Sequence, residues 1–141
     1  MCYRAVPERC DQPVFVDQSR KVNVMAYELC RKSTLVAIQN DSFRKSLGHP
    51  DQTPYKGTFH ITKSVQSLPE YEQARLYLAI ASFDDFSESN DTWGEHDYGV
   101  VGSHYFKIDY YDSSELEHGS ADSSDPACTF RLVTIALLEE Y

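Results

Sequence analysis

The densest concentration of chemically able side chains is the run Asn90-Asp91-Thr92-Trp93-Gly94-Glu95-His96-Asp97-Tyr98-Gly99. Carboxylates and an imidazole this close together supply general acid–base groups and hard oxygen ligands at once. A divalent cation held by Asp91, Glu95, His96 and Asp97, completed by Asp109 or Asp112 from a neighbouring strand, would activate water for hydrolysis. The competing reading is a turn-rich loop whose Asp and Asn side chains cap backbone amides, with His96 bonded locally. The spacing matches neither the calcium loop of an EF-hand nor the H-E-x-x-H of zinc hydrolases. The loop reading is therefore preferred, and no metal or cofactor is assigned.

A second constellation is Lys107-Ile108-Asp109-Tyr110-Tyr111-Asp112. Alternation turns Phe106, Ile108 and Tyr110 to one side and Tyr105, Lys107, Asp109 and Tyr111 to the other. Lys107 and Asp109 can pair along the strand, and the two tyrosines beside them offer contact area with a polar tip. Protein recognition and a plain solvated strand face fit that pattern equally. His104 and His118 lie among acids without ligand spacing, and His49 and His60 stand alone. No Ser-His-Asp order can be assigned, and the six glycines never fall as G-x-G-x-x-G.

Charge is the sharper signal. The chain of 141 residues has a net charge of −9. Residues 84–125 hold twelve acids against one base, Lys107, for a net −11, while the remainder holds ten acids and twelve bases. An acidic block of this kind argues against direct nucleic-acid binding, which needs clustered Lys and Arg. It suits a basic protein surface instead. No apolar run reaches the roughly 18 residues of a membrane span, and the first eleven residues lack a secretory signal's apolar stretch. The four cysteines (Cys2, Cys10, Cys30, Cys128) show no C-x-x-C pairing, which points to reduced thiols in a cytoplasmic protein.

The elements that must position these groups read as one α+β domain, a small antiparallel sheet with two to three packed helices. Residues 1–23 form an N-terminal arm, with a short strand at Val14-Phe15-Val16, and residues 24–141 form the domain. Helix formers are dense over 25–47, where Leu35, Ile38 and Leu47 can share a face. Gly48 and Pro50 then supply a stop. Residues 58–62 alternate as a strand. Ser67-Leu68-Pro69-Glu70 has capping-box spacing and opens a helix running to about Ser82, with Ala74, Tyr77, Leu78 and Ala81 on its apolar face. Residues 83–96 are an acidic loop. A hairpin of 98–101 and 104–112 follows, then a second acidic loop over 113–125. Asp125-Pro126 resembles a helix start, so a C-terminal helix is expected. The β-branched character of 132–138 keeps a buried strand as the alternative.

Several strings together resemble an uncharacterised bacterial family catalogued as domain of unknown function 3768. They are Phe83-Asp84-Asp85-Phe86, Asn90-Asp91, Gly94-Glu95-His96-Asp97-Tyr98-Gly99, Phe106 through Asp112, Leu132-Val133-Thr134-Ile135 and Glu140-Tyr141. Asn40-Asp41 and Phe43-Arg44 resemble the start of the same pattern, so the likeness spans about 35–141. Thr92-Trp93 departs from it, standing where the family pattern has Pro-Tyr. The resemblance implies no activity. It implies an association with plasmids and other mobile elements of proteobacteria, beside anti-restriction and partition genes.

The expectation is therefore a non-enzymatic interaction protein that binds a basic surface of a protein or ribonucleoprotein complex. Its concrete form is an inhibitor of a nucleic-acid-handling defence complex, of anti-CRISPR or anti-restriction type, with carboxylates standing in for DNA phosphates. The residues expected to meet the partner are Asp84, Asp85, Glu88, Asp91, Glu95, Asp97, Tyr105, Tyr111, Glu115 and Glu117. The alternative is a small metal-dependent hydrolase or nuclease using Asp91, Glu95, His96, Asp97 and Asp109. A homodimer built on the tyrosine-rich strand face is a third reading.

Overall fold

The computed structural model describes residues 20–141. The elements are α1 (Arg20–Ser46), β1 (Gly57–Ile61), α2 (Lys63–Gln66), α3 (Glu70–Ala81), β2 (Tyr98–Val101), β3 (His104–Tyr111) and β4 (Phe130–Leu137). Single 3₁₀ turns sit at Pro50–Gln52, Pro126–Cys128 and Leu138–Glu140. The expected stop of α1 is present: Leu47 and Gly48 both take left-handed backbone, at φ 49° and 84°, and Pro50 opens the next turn. The helix starts at Arg20, ahead of the expected boundary between arm and domain. The strand expected at Val14–Val16 lies outside the described residues.

The four strands form one sheet in the order β1-β4-β3-β2. β2, β3 and β4 run antiparallel, and β1 joins β4 in parallel with Gly57 opposite Arg131. The sheet is therefore mixed. The long excursion between β1 and β4 through α2, α3 and the hairpin makes the parallel pairing possible. The hairpin falls where alternation predicts it. The C-terminal segment corrects the expectation: 130–137 is a strand, not a helix. Asp125 does cap, its carboxylate accepting from the Ala127 amide at 2.9 Å, but the capped element is a single 3₁₀ turn.

All the helices cover one sheet face. Phe43 of α1, Val65 of α2, and Leu76 and Ile80 of α3 meet Phe106, Ile108, Val133 and Ile135 of β3 and β4. Each of these buried side chains contributes on the order of 2 kcal/mol. The two helix faces differ from those the apolar spacing predicts. On α1, Leu35 and Ile38 are exposed, and the inward face carries Val36, Gln39, Asn40, Phe43 and Arg44. On α3, Tyr77 packs against the core as expected, but Ala74 and Leu78 are exposed, and Leu76 and Ile80 are the buried residues. The Ser67 spacing is also not a capping box, because Ser67 ends α2 and its hydroxyl donates to the Ser64 carbonyl.

Cys30 is disulfide-bonded, which corrects the expectation of reduced thiols, and Cys128 is free. Among the described residues no helix is long and apolar enough to cross a membrane.

Candidate functional site

Both acidic loops leave the sheet at the same end. Tyr98, where the first loop enters β2, pairs with Lys107, and the antiparallel hairpin puts that point towards the far end of β3. Tyr111, where the second loop begins, pairs with Phe130, the first residue of β4. Beyond β2 the second loop takes over the edge of β3: Gly119 bridges Tyr111, and the Ser120 amide donates to the Tyr110 carbonyl.

The first loop, residues 82–97, is pinned from beneath by aromatic rings. Phe83 meets Phe106 edge-on at 5.3 Å, and Phe86 stacks flat on His96 at 3.9 Å. The closeness of Phe83 and Phe106 leaves no room at Gly99, where a β-carbon would stand 2.4 Å from Phe106. Asp84 and Asp85, between the two anchoring phenylalanines, are exposed, as is Glu88. Asp91 instead turns inward, and its carboxylate accepts from the amides of Glu95 and His96, each at 3.2 Å. That turn holds His96 at φ 55°. Burial pushes the Asp91 carboxyl above its ordinary range, against the lowering pull of the His96 and Gly94 amides.

Beneath the loops lies a buried polar network that apolar periodicity does not reveal. Arg44, 1% exposed, donates to Asp41 at 2.8 Å and to the carbonyls of Ile80 and Phe83 at 3.0 and 3.1 Å. Asp41 also meets His96 Nδ1 at 3.0 Å. Asn40, fully buried, donates to the Glu95 carbonyl and to the Tyr110 hydroxyl, both at 2.8 Å. The Tyr110 hydroxyl in turn donates to the Glu95 carboxylate at 3.2 Å. On its other side Asn40 accepts from Arg131 Nε at 2.8 Å.

The second loop, residues 113–125, hangs from the same helical turn. Gln39 donates to the Ser124 carbonyl at 2.8 Å, and Arg131 donates to Gln39 at 2.7 Å and to the Ser123 carbonyl at 3.2 Å. Asp122 accepts from the Ser124 hydroxyl and amide, which holds its carboxyl below the ordinary range. Burial lowers the Arg131 guanidinium, which lies over the rings of Tyr55 and Tyr110. One turn of α1, residues 39–44, thus ties down both acidic loops.

The expected partner-facing residues divide on this geometry. Asp84, Asp85, Glu88, Glu115 and Glu117 are exposed, and none pairs with a base among the described residues. Asp91 and Glu95 are only 9% and 4% exposed and act as internal acceptors, so they are no part of an outer acidic face. Tyr105 is likewise buried, beneath Tyr98 and Tyr141. Asp97 and Tyr111 are half-buried. The alternative set of ligands does not assemble. Asp109 sits beside Lys107 on the sheet face opposite Tyr110, away from Asp91 and His96. Among the described residues no group of three or more His, Cys, Asp or Glu is arranged to hold a metal ion.

The profile of a family described as "protein of unknown function (DUF3768)" matches residues 61–140. The chain belongs to this family. The matched span holds both acidic loops, the hairpin, Tyr110 and Arg131. The α1 turn that grips them, 39–44, precedes it, so the likeness noted from residue 35 extends beyond the matched span. No curated protein and no solved structure matches the chain. Sequence reasoning missed the network residues Gln39 and Arg131 altogether. The usable signal was Arg131, a lone base at an inward position of the alternating Arg131, Val133, Ile135.

Proposed function

We propose that this is a non-enzymatic interaction protein that presents a preorganised acidic end to a basic surface of a partner. The supporting observation is that one buried helical turn grips both acidic loops, while Asp84, Asp85, Glu88, Glu115 and Glu117 stay exposed and without described basic partners. Unpaired carboxylates repel one another, so holding them at one end of the sheet opposes folding unless a partner is served. Fixed carboxylates lose little freedom on docking and attract a Lys/Arg cleft over a Debye length. Such a cleft ordinarily receives phosphates. The concrete form of the proposal is an inhibitor of a nucleic-acid-handling defence complex of anti-CRISPR or anti-restriction type.

The test is a pull-down of purified CRISPR effector and restriction complexes on the immobilised protein, in low and in high salt. Capture at low salt, lost at high salt and competed by duplex DNA, is the expected outcome. Capture that ignores salt, or that survives charge reversal at the five exposed acids, overturns the electrostatic reading.

A further inference from the structure

The helices α1–α3 leave the second face of the sheet open among the described residues except at one end, where the turn Leu138–Glu140 and Tyr141 cover Tyr105 and Ala136. Its positions follow from the register: Thr58 and His60 of β1, Leu132 and Thr134 of β4, and Lys107 and Asp109 of β3. Towards β2 the same face carries a cluster of Tyr98, Tyr105 and Tyr141, with ring centroids 5.2–5.9 Å apart. Tyr141 is 75% exposed. Lys107 and Asp109 pair at 3.3 Å, so this face is internally neutral in a chain of net charge −9. Two copies of so acidic a chain repel at most approaches, and this is a surface where they need not.

The arrangement is also self-complementary. A two-fold axis lying between two such faces, crossing the strands at the level of Ile108, exchanges positions equally distant along β3 on either side. Lys107 of one copy then faces Asp109 of the other, and the reverse contact follows by symmetry. The same operation sets Leu132 against Thr134 and Thr58 against His60, which pairs compatible surfaces. We propose that the open sheet face is an isologous homodimer interface, with Lys107 and Asp109 exchanging their partners across the axis and Tyr141 as its exposed aromatic anchor. The acidic loops play no part in it.

Sedimentation of the full chain over about 1–200 μM, a range spanning weak to moderate self-association, tests this directly. A species of twice 16.1 kDa is expected. Lys107→Asp sets like charges opposite each other twice and is expected to weaken the dimer by about tenfold or more. The double variant Lys107→Asp/Asp109→Lys restores both contacts and the dimer. Tyr141→Ala is expected to weaken association as well, and because Tyr141 packs on Tyr98 and Tyr105 the variant's melting point is measured beside its sedimentation. A 16.1 kDa species at the highest concentration overturns the proposal. A dimer indifferent to both Lys107→Asp and Tyr141→Ala does so too, since the interface then lies elsewhere.

Discussion

Replacing Asn40 by Ala removes the α1 residue that bonds both the first loop, at Glu95, and Arg131, which holds the second. Its amide donates to the Glu95 carbonyl and the Tyr110 hydroxyl, and its oxygen accepts from Arg131, three contacts of 2.8 Å in a fully buried position. A net hydrogen bond is worth about 1 kcal/mol, more where the abandoned partner stays buried. Tyr110 keeps its bond to Glu95, and Arg131 keeps Gln39 and Ser123. The expected loss is therefore about 3 kcal/mol, short of total stability for a domain of this kind. With a urea slope near 2 kcal/mol per molar, the unfolding midpoint falls by about 1.5 M. Amide exchange of the native protein supplies the second reading: residues 83–97 and 113–125 are expected to exchange faster together, with the α3 core unchanged. A midpoint shift below about 0.3 M, or acceleration confined to one loop, would refute a shared anchor.

Three further outcomes follow from the same geometry. Gly99→Ala forces a β-carbon to 2.4 Å from Phe106 and 2.7 Å from Phe83, so a loss of about 2 kcal/mol and a melting point lower by roughly 6–8 °C are expected; an unchanged melt would contradict the packing of Phe83. Asp91 has a folded value raised by burial, so the wild type loses stability as pH rises through the window from the unfolded value to the folded one. Asp91→Asn lacks that loss, and melts from pH 3 to 6 should show the variant gaining on the wild type as pH rises; a constant difference refutes the burial account. Asp122 has the opposite sign, its lowered value adding stability above the unfolded range, so the deficit of Asp122→Asn should shrink as pH falls through that range.

Much of the fold was legible because strands written in strict alternation declare their faces. Residues 104–111 do so, with Phe106 and Ile108 inward and Lys107 and Asp109 outward. Helix faces were not legible where the inward residues are polar. Arg44 and Asn40 look like solvent-facing positions in a hydrophobicity count, yet carbonyls from α3 and the first loop satisfy them. The C-terminal strand was hidden by a genuine capping signal at Asp125, which serves one turn before pairing on both sides makes β4 a central strand. Tertiary partners decided that segment, not local preference.

The candidate site was half legible. Counting acids located the block at 84–125, because net charge is a property of composition. It could not separate Asp84 and Asp85, held outward between two anchored phenylalanines, from Asp91 and Glu95, which serve internal donors. That distinction depends on which amides and hydroxyls lie within reach once the loop closes over α1.

The central claim is that exposed, fixed carboxylates at one end of the sheet bind a basic partner surface. Its most direct test compares the wild type with Asp84→Asn/Asp85→Asn/Glu88→Gln/Glu115→Gln/Glu117→Gln, measuring affinity for a purified nucleic-acid-handling defence complex across a salt series. The expected result is a melting point equal to or higher than the wild type's, because repulsion between the acids is relieved, with an affinity lower by at least about tenfold at low salt and a flatter dependence of log K on log salt. Equal affinity and equal salt slope for the two proteins would contradict it.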